Sequence, residues 1–135
     1  MILHIQPDGP VPIYEQIVTQ VTFAIATGTL RPGEAIPSVR DLGHELVVNP
    51  NTVMRAYQKL ESDGIVVARR GRPMEVTAQA PALCEQQRLR IVRERIRAAL
   101  REAVNSGLKS VEIKQVVEEE LARAHGGAGQ FREKR

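Results

Sequence analysis

The sequence predicts a mainly α-helical chain with a small β-hairpin: a winged helix-turn-helix over residues 1–77, then a two-helix hairpin over residues 78–125. Three observations predict it. Two helix starts with recognisable capping chemistry, Ser38 and Asn49, lie close together with only a short connection between their helices. A short apolar run, a glycine set among arginines and a second extended run follow, which reads as a hairpin. Beyond Pro81, apolar residues recur at alternating spacings of three and four, the period of amphipathic helices.

Taken in order, Ile2-Leu3-His4-Ile5 is a short extended run suited to an edge strand or a cover for the core, and Pro7 to Pro12 is a turn-rich connector. The first helix is expected from Pro12 or Ile13 to Thr27, stopped by Gly28. Its apolar stripe is Ile13, Ile17, Val21, Ala24 and Ile25, and it forms the back wall of the helix pair. Arg31-Pro32-Gly33-Glu34 makes a turn. Ser38 can then accept an orphan N–H of the next helix, with Asp41 at its third position, and Val39, Leu42 and Leu46 face inward.

The connection through Leu46-Val47-Val48 is too short for a strand. Asn49 caps the following helix, and Pro50 fits its first position because no N–H is needed there. Val53, Tyr57 and Leu60 share its inner face, leaving Asn51, Thr52, Arg55 and Gln58 largely on other faces. Asp63-Gly64 ends it, glycine being free to take the left-handed position. In the hairpin, Ile65 and Val67 alternate with Val66 and Ala68, so one face joins the core, and Gly71 sits at the turn flanked by Arg69, Arg70 and Arg72.

Amide, hydroxyl and guanidinium groups at the start of a helix are the donors and acceptors that read base edges. Arginines at a hairpin tip suit the enhanced negative potential of a narrow minor groove. Each feature alone has a plainer explanation, a solvated cap or a basic turn, and for Asn49 the cap suffices; together they point to duplex DNA. At this level the chain resembles the GntR family of bacterial transcription regulators, through PSVRDL, VNPNTVMRAYQKLESDGIV and RRGRP; NPNTVMRAY with a short C-terminal part resembles its YtrA-like subgroup. The resemblance implies DNA contacts at the PSxR position, Ser38 and Arg40; the helix-start and wing chemistry makes Asn49, Asn51, Thr52, Arg55, Arg69, Arg70, Gly71 and Arg72 the other candidates. It also shows departures. Many relatives carry arginine where this chain has Pro50 and Met54, so arginine–guanine contacts do not transfer to those positions, and Pro73 replaces a common glycine, stiffening the wing.

Thr77 to Pro81 reads as a linker. Leu89, Val92, Ile96, Leu100 and Val104 form one stripe before Gly107 breaks the helix. Ser110 is expected to cap the last helix, which carries Val117 and Leu121 opposite Glu118, Glu119 and Glu120. Isolated helices of this size are marginal, so the stripe calls for a partner. A second copy of the same hairpin is the expected one, since a helix-turn-helix works as a two-fold dimer on a pseudo-palindrome. The arginines from Arg88 to Arg101 read as a solvated face. Residues 126–135, rich in glycine and charge, read as a disordered tail.

Composition bounds the function. Residues 1–77 hold seven Lys/Arg against eight Asp/Glu, so the overall charge of +3 is not what points to DNA. One cysteine excludes an internal disulfide and a cysteine zinc site, and the three histidines are scattered, so no metal or other cofactor is expected. There is no phosphate-cradling glycine loop or nucleophile elbow, and the chain is not expected to be an enzyme. No run is long enough to span a membrane and Met1–Ile5 is too short for a signal peptide, so a soluble cytoplasmic protein is expected; the homodimer is expected from the C-terminal stripe. Two helices rarely enclose a drug-sized pocket, which leaves any small-molecule effector unknown. The expected function is therefore a sequence-specific dimeric repressor; the rival is a winged-helix protein-interaction module without DNA readout, separable by the salt dependence of duplex binding.

Overall fold

The computed structural model describes residues 1–132, with side chains described to Gly126. The elements run α1 (Ile13–Ala26), α2 (Val39–Leu46), α3 (Pro50–Ser62), β1 (Val66–Val67), β2 (Glu75–Val76), α4 (Ala80–Asn105) and α5 (Ser110–Arg132). The first compact unit is Met1–Ile91 and the second Val92–Arg135.

In the first unit α1 and α2 both pack on α3. The core is aliphatic, built on Ile17, Val21, Ile25, Leu42, Val53, Ala56, Leu60, Ile65 and Val76, as the low aromatic content requires. Both caps form as the sequence predicts. Ser38 Oγ accepts the Asp41 N–H at 3.0 Å, and Asn49 Oδ1 accepts the Asn51 N–H at 2.8 Å. Buried Tyr57 donates its hydroxyl to the Pro37 carbonyl at 2.8 Å, tying α3 to the entry of α2. Burial, and secondarily the Glu45 carboxylate, push that hydroxyl well above the usual phenol range, so it stays a donor.

The connection between α2 and α3 is the tightest point. Val47 adopts a left-handed conformation, φ 55°, ψ 50°, that a β-branched residue rarely takes. Val48 N–H closes onto Gly43 O at 2.8 Å. A Cβ on Gly43 would lie 2.8 Å from the Val48 carbonyl oxygen and 3.4 Å from Pro50 Cα, so only glycine lets the two helices approach this closely.

The hairpin pairs Val66 with Val76 and Val67 with Glu75. Ile65 and Val66 are both buried, in place of the strict alternation expected from the sequence. The ladder is only two residues long, and Ile65 is held just before it by bonds from its N–H to Leu60 O and from Thr77 N–H to its carbonyl. The other edge of β2 is covered by residues 33–36, through Gly33 N–H to Val76 O, Val76 N–H to Glu34 O and Ile36 N–H to Met74 O. β2 is thus bonded along both of its edges at the base of the wing.

The N-terminal run packs along α1 by an arrangement of side chains. Gln20 accepts from His4 N–H and donates to His4 O; Gln16 accepts from Gln6 N–H and donates to Gln6 O and Val11 O. This turns Leu3 into the core.

Thr22 of α1 is fully buried, and its hydroxyl has no partner among the described residues. An unmet buried hydroxyl costs about 1–3 kcal/mol. Thr22→Val is therefore expected to stabilise the protein by about 1 kcal/mol, read as a higher urea midpoint at unchanged slope; a loss of stability would mean that the hydroxyl has a partner.

Residues 77–81 are a turn and a helix start where the sequence suggests a linker. Thr77 Oγ1 bonds Gly64 O at 2.7 Å, Ala80 opens α4, and Pro81 lies in its first turn, where a missing N–H is harmless. Ala80 and Cys84 are buried in the first unit, and burial with the nearby Asp63 charge pushes the Cys84 thiol up to about 11, so it packs as a neutral apolar group.

In the second unit, Gly107 at φ 95° separates the end of α4 from α5. Ser110 is the first residue of α5, and the capping contact is made by Glu112, which accepts the Lys109 N–H at 3.0 Å. The reciprocal half of a capping box thus does the work expected of the serine hydroxyl. α5 is helical to Arg132, past the start of the tail expected at 126–135, whose last residues, 133–135, lie outside the described residues.

Candidate nucleic-acid interface

The first turn of α3 has Val53 buried behind it and Asn51 exposed, with Thr52 half-buried between them. This follows from the helix period: Val53, Ala56, Tyr57 and Leu60 take the inner face, leaving Asn51 and Arg55 outside. The Asn51 side chain makes no hydrogen bond among the described residues; only its backbone N–H is used, by the Asn49 cap. Asn49 and Ser38 both spend an oxygen on capping, so their contribution is to hold helix starts in place.

Arg55 is exposed, and its guanidinium lies over the Tyr14 ring, 3.8 Å from the centroid. Pro12, Ile13 and Tyr14 from the start of α1 and Asn51, Thr52 and Arg55 from α3 line one open cleft of about 340 Å³. Tyr14 is the functional candidate that sequence reasoning missed; its signal is an aromatic residue in the first turn of α1 that the apolar stripe leaves out.

Arg40, in the first turn of α2, is exposed and forms no ion pair among the described residues, so the ion pair that could explain it is not made. It lines a shallow groove with Gly43, His44, Val47, Val48 and Pro50, which brings its charge to the N-terminal end of α3. Met54 is half-exposed but offers no donor.

In the wing, Arg69 is not free: its Nε donates to Glu75 Oε1 across the hairpin. Arg70 and Arg72 are exposed without an ion-pair partner among the described residues, on either side of Gly71 at φ 72°. The wing therefore presents two uncommitted guanidinium groups, while the third braces its base.

The apolar stripe of α4 is exposed at Leu89, Val92, Ile96, Leu100 and Val104, as are Val117 and Leu121 of α5. Within the second unit, Leu100 and Val104 come together with Ile113 and Val117 around a groove of about 480 Å³, which Leu121 does not line. Among the described residues there is no cluster of His, Cys, Asp and Glu that could hold a metal ion, and no helix long and apolar enough to cross a membrane.

Comparison with known proteins identifies the family and the fold. Residues 13–76 match the family described as bacterial regulatory proteins, gntR family. The chain is 31% identical over 125 residues to the HTH-type transcriptional repressor YtrA of Bacillus subtilis, covering 93% of this chain and 96% of that protein. A GntR family transcriptional regulator from Listeria monocytogenes superposes with a TM-score of 0.68 at 32% identity, covering 83% of this chain and 97% of that one. The GntR-family transcription factor YtrA from Sulfolobus acidocaldarius does so with a TM-score of 0.55 at 29% identity, covering 90% of this chain and 97% of that one.

Proposed function

This chain belongs to the GntR family of DNA-binding transcription regulators, and from that premise we propose that it is a dimeric repressor of a pseudo-palindromic operator. α3 enters the major groove, where Asn51, Thr52 and Arg55 read base edges. The wing lies at the minor groove, where Arg70 and Arg72 meet the phosphates or the groove floor. Ser38, Arg40, Asn49, Arg69 and Gly71 set the approach, and the stripe from Leu89 to Val104 with Val117 and Leu121 joins two copies.

The observation that carries this reading is the exposed polar turn of α3 beside an Arg55 that pairs with no carboxylate among the described residues. Asn can bond adenine bidentately, a Thr methyl can touch thymine and Arg can bond guanine. Pro50 and Met54 carry no side-chain donor to bond a base edge, so hydrogen-bond reading along α3 falls to these three residues. The Bacillus relative's designation as a repressor supports the direction of regulation. The near-neutral charge of residues 1–77 favours one other reading, a protein dock without DNA readout.

Enrichment of duplexes from a random library by the full chain tests the function and yields an operator. On that duplex, Arg70→Ala/Arg72→Ala is expected to weaken binding and to flatten the dependence of log affinity on log salt by about 0.9 for each phosphate no longer neutralised. An unaltered slope would mean that the wing tip points away from DNA. Failure to enrich any duplex would favour the protein dock.

A further inference from the structure

We propose that Tyr14 is a positioning residue for operator recognition: its ring holds the Arg55 guanidinium in the plane from which it reads a base pair. The inference rests on the reading of Arg55 as a base contact.

Three observations combine. The guanidinium lies 3.8 Å from the ring centroid, a stacking distance. Tyr14 and Arg55 line the same cleft as Asn51 and Thr52, so the stack borders the surface proposed to read bases. Tyr14 itself is fixed, half-buried in the first turn of α1 and packed against the core.

The chemistry of the stack is what makes it a positioning device. Arginine is a long side chain whose rotamer freedom must be lost when it bonds a base. A partner that fixes it beforehand removes part of that loss from binding. A carboxylate would fix it too, but by occupying the same N–H groups that must bond the base, as Glu75 does for Arg69. A ring beneath the guanidinium binds its face and leaves the N–H fork at its edge free. Tyr14 thus preorganises Arg55 without consuming a donor.

The hydroxyl is not part of this device; it donates to Glu15 Oε1 at 3.2 Å on its own helix. The ring is the active component, which separates two substitutions. Tyr14→Phe keeps it and Tyr14→Leu removes it at similar apolar bulk.

The test uses the full chain and the duplex it enriches from a random library, together with that duplex altered one base pair at a time. Thermal melts establish that each variant is folded. Tyr14→Phe is expected to bind within about twofold of the parent, and Tyr14→Leu about three- to tenfold more weakly. Discrimination should relax in Tyr14→Leu only at the base pairs where Arg55→Ala also relaxes it. The double variant Tyr14→Leu/Arg55→Ala should bind no more weakly than Arg55→Ala, since the ring acts through the arginine. Additive losses, or relaxed discrimination at other base pairs, would overturn the proposal, as would a loss in Tyr14→Phe equal to that in Tyr14→Leu. If Arg55→Ala weakens binding and Tyr14→Leu does not, the positioning role fails while the recognition reading stands. If Arg55→Ala leaves affinity and discrimination unchanged, the recognition reading fails and takes this inference with it.

Discussion

Ile96→Glu is expected to convert the protein to a monomer and to lower its operator affinity by roughly two to four orders of magnitude, leaving weak half-site binding. Ile96 is 54% exposed, at the middle of a stripe in which Leu89 and Val104 are exposed to 57% and 61%. Val117 and Leu121 on α5 are left open in the same way. Exposed apolar side chains in such number are the usual mark of an interaction surface, which is the ground for the proposed dimer. Burying each large aliphatic side chain there is worth about 1.5–3 kcal/mol, whereas a carboxylate would have to be stripped of water without a partner. In the proposed dimer two half-site contacts are linked into one event, so loss of the dimer is magnified in the affinity for the whole operator.

Sedimentation of the full chain reads the assembly state, and binding to whole and half operators reads the coupling. A variant that remains a dimer would remove this stripe from the interface. A truncation makes an independent check if it is cut after Ile91. Cutting at Thr77 would strip Ala80 and Cys84 from the core of the first unit and confuse misfolding with dissociation.

Gly43→Ala is expected to destabilise the helix pair by about 3 kcal/mol, lowering the melting temperature by roughly 12–24 °C, with DNA binding lost at temperatures where the parent is folded. The added Cβ would meet backbone on the facing segment, the Val48 carbonyl and Pro50 Cα, so no side-chain rotation relieves it. The neighbouring turn has little slack, because Val47 already occupies the left-handed region. A melting temperature within a few degrees of the parent would show that α2 and α3 can separate at little cost.

The parts of this fold that could be read from sequence are those set by near neighbours. Ser38, Asn49 with Pro50, and Gly64 act on backbone groups within a few residues of themselves, so composition reveals them. The inner face of α3 follows from its period. What escaped depends on contacts made across a turn or between elements, which no local pattern reveals. The demand for glycine at position 43 comes from the Val48 carbonyl folded back against it. Tyr14 and Arg55 meet only because α1 and α3 pack side by side. Glu75 neutralises Arg69 only once the hairpin register is fixed, which divides three apparently equivalent wing arginines into one brace and two cations without an ion-pair partner among the described residues. Thr77 to Pro81 has the composition of a linker, yet Thr77 finds its acceptors at Gly64 and Ile65.

The glutamines that hold the N-terminal run make α1 a ruler for it. Two residues of extended chain advance about 6.6 Å, and four residues of helix about 6 Å. His4 and Gln6 therefore meet amides on Gln20 and Gln16, one helical turn apart, nearly in step. The mismatch of about 0.6 Å per rung accumulates, and one turn further on lie Pro12, just ahead of α1, and Ala24, neither of which carries a side-chain amide. Two rungs are enough to set the phase. A slip of the run by one residue would face the amides with the wrong backbone groups and turn Leu3 outward, so a pair of side chains on a helix does for this segment what a neighbouring strand does in a sheet: it fixes register as well as position.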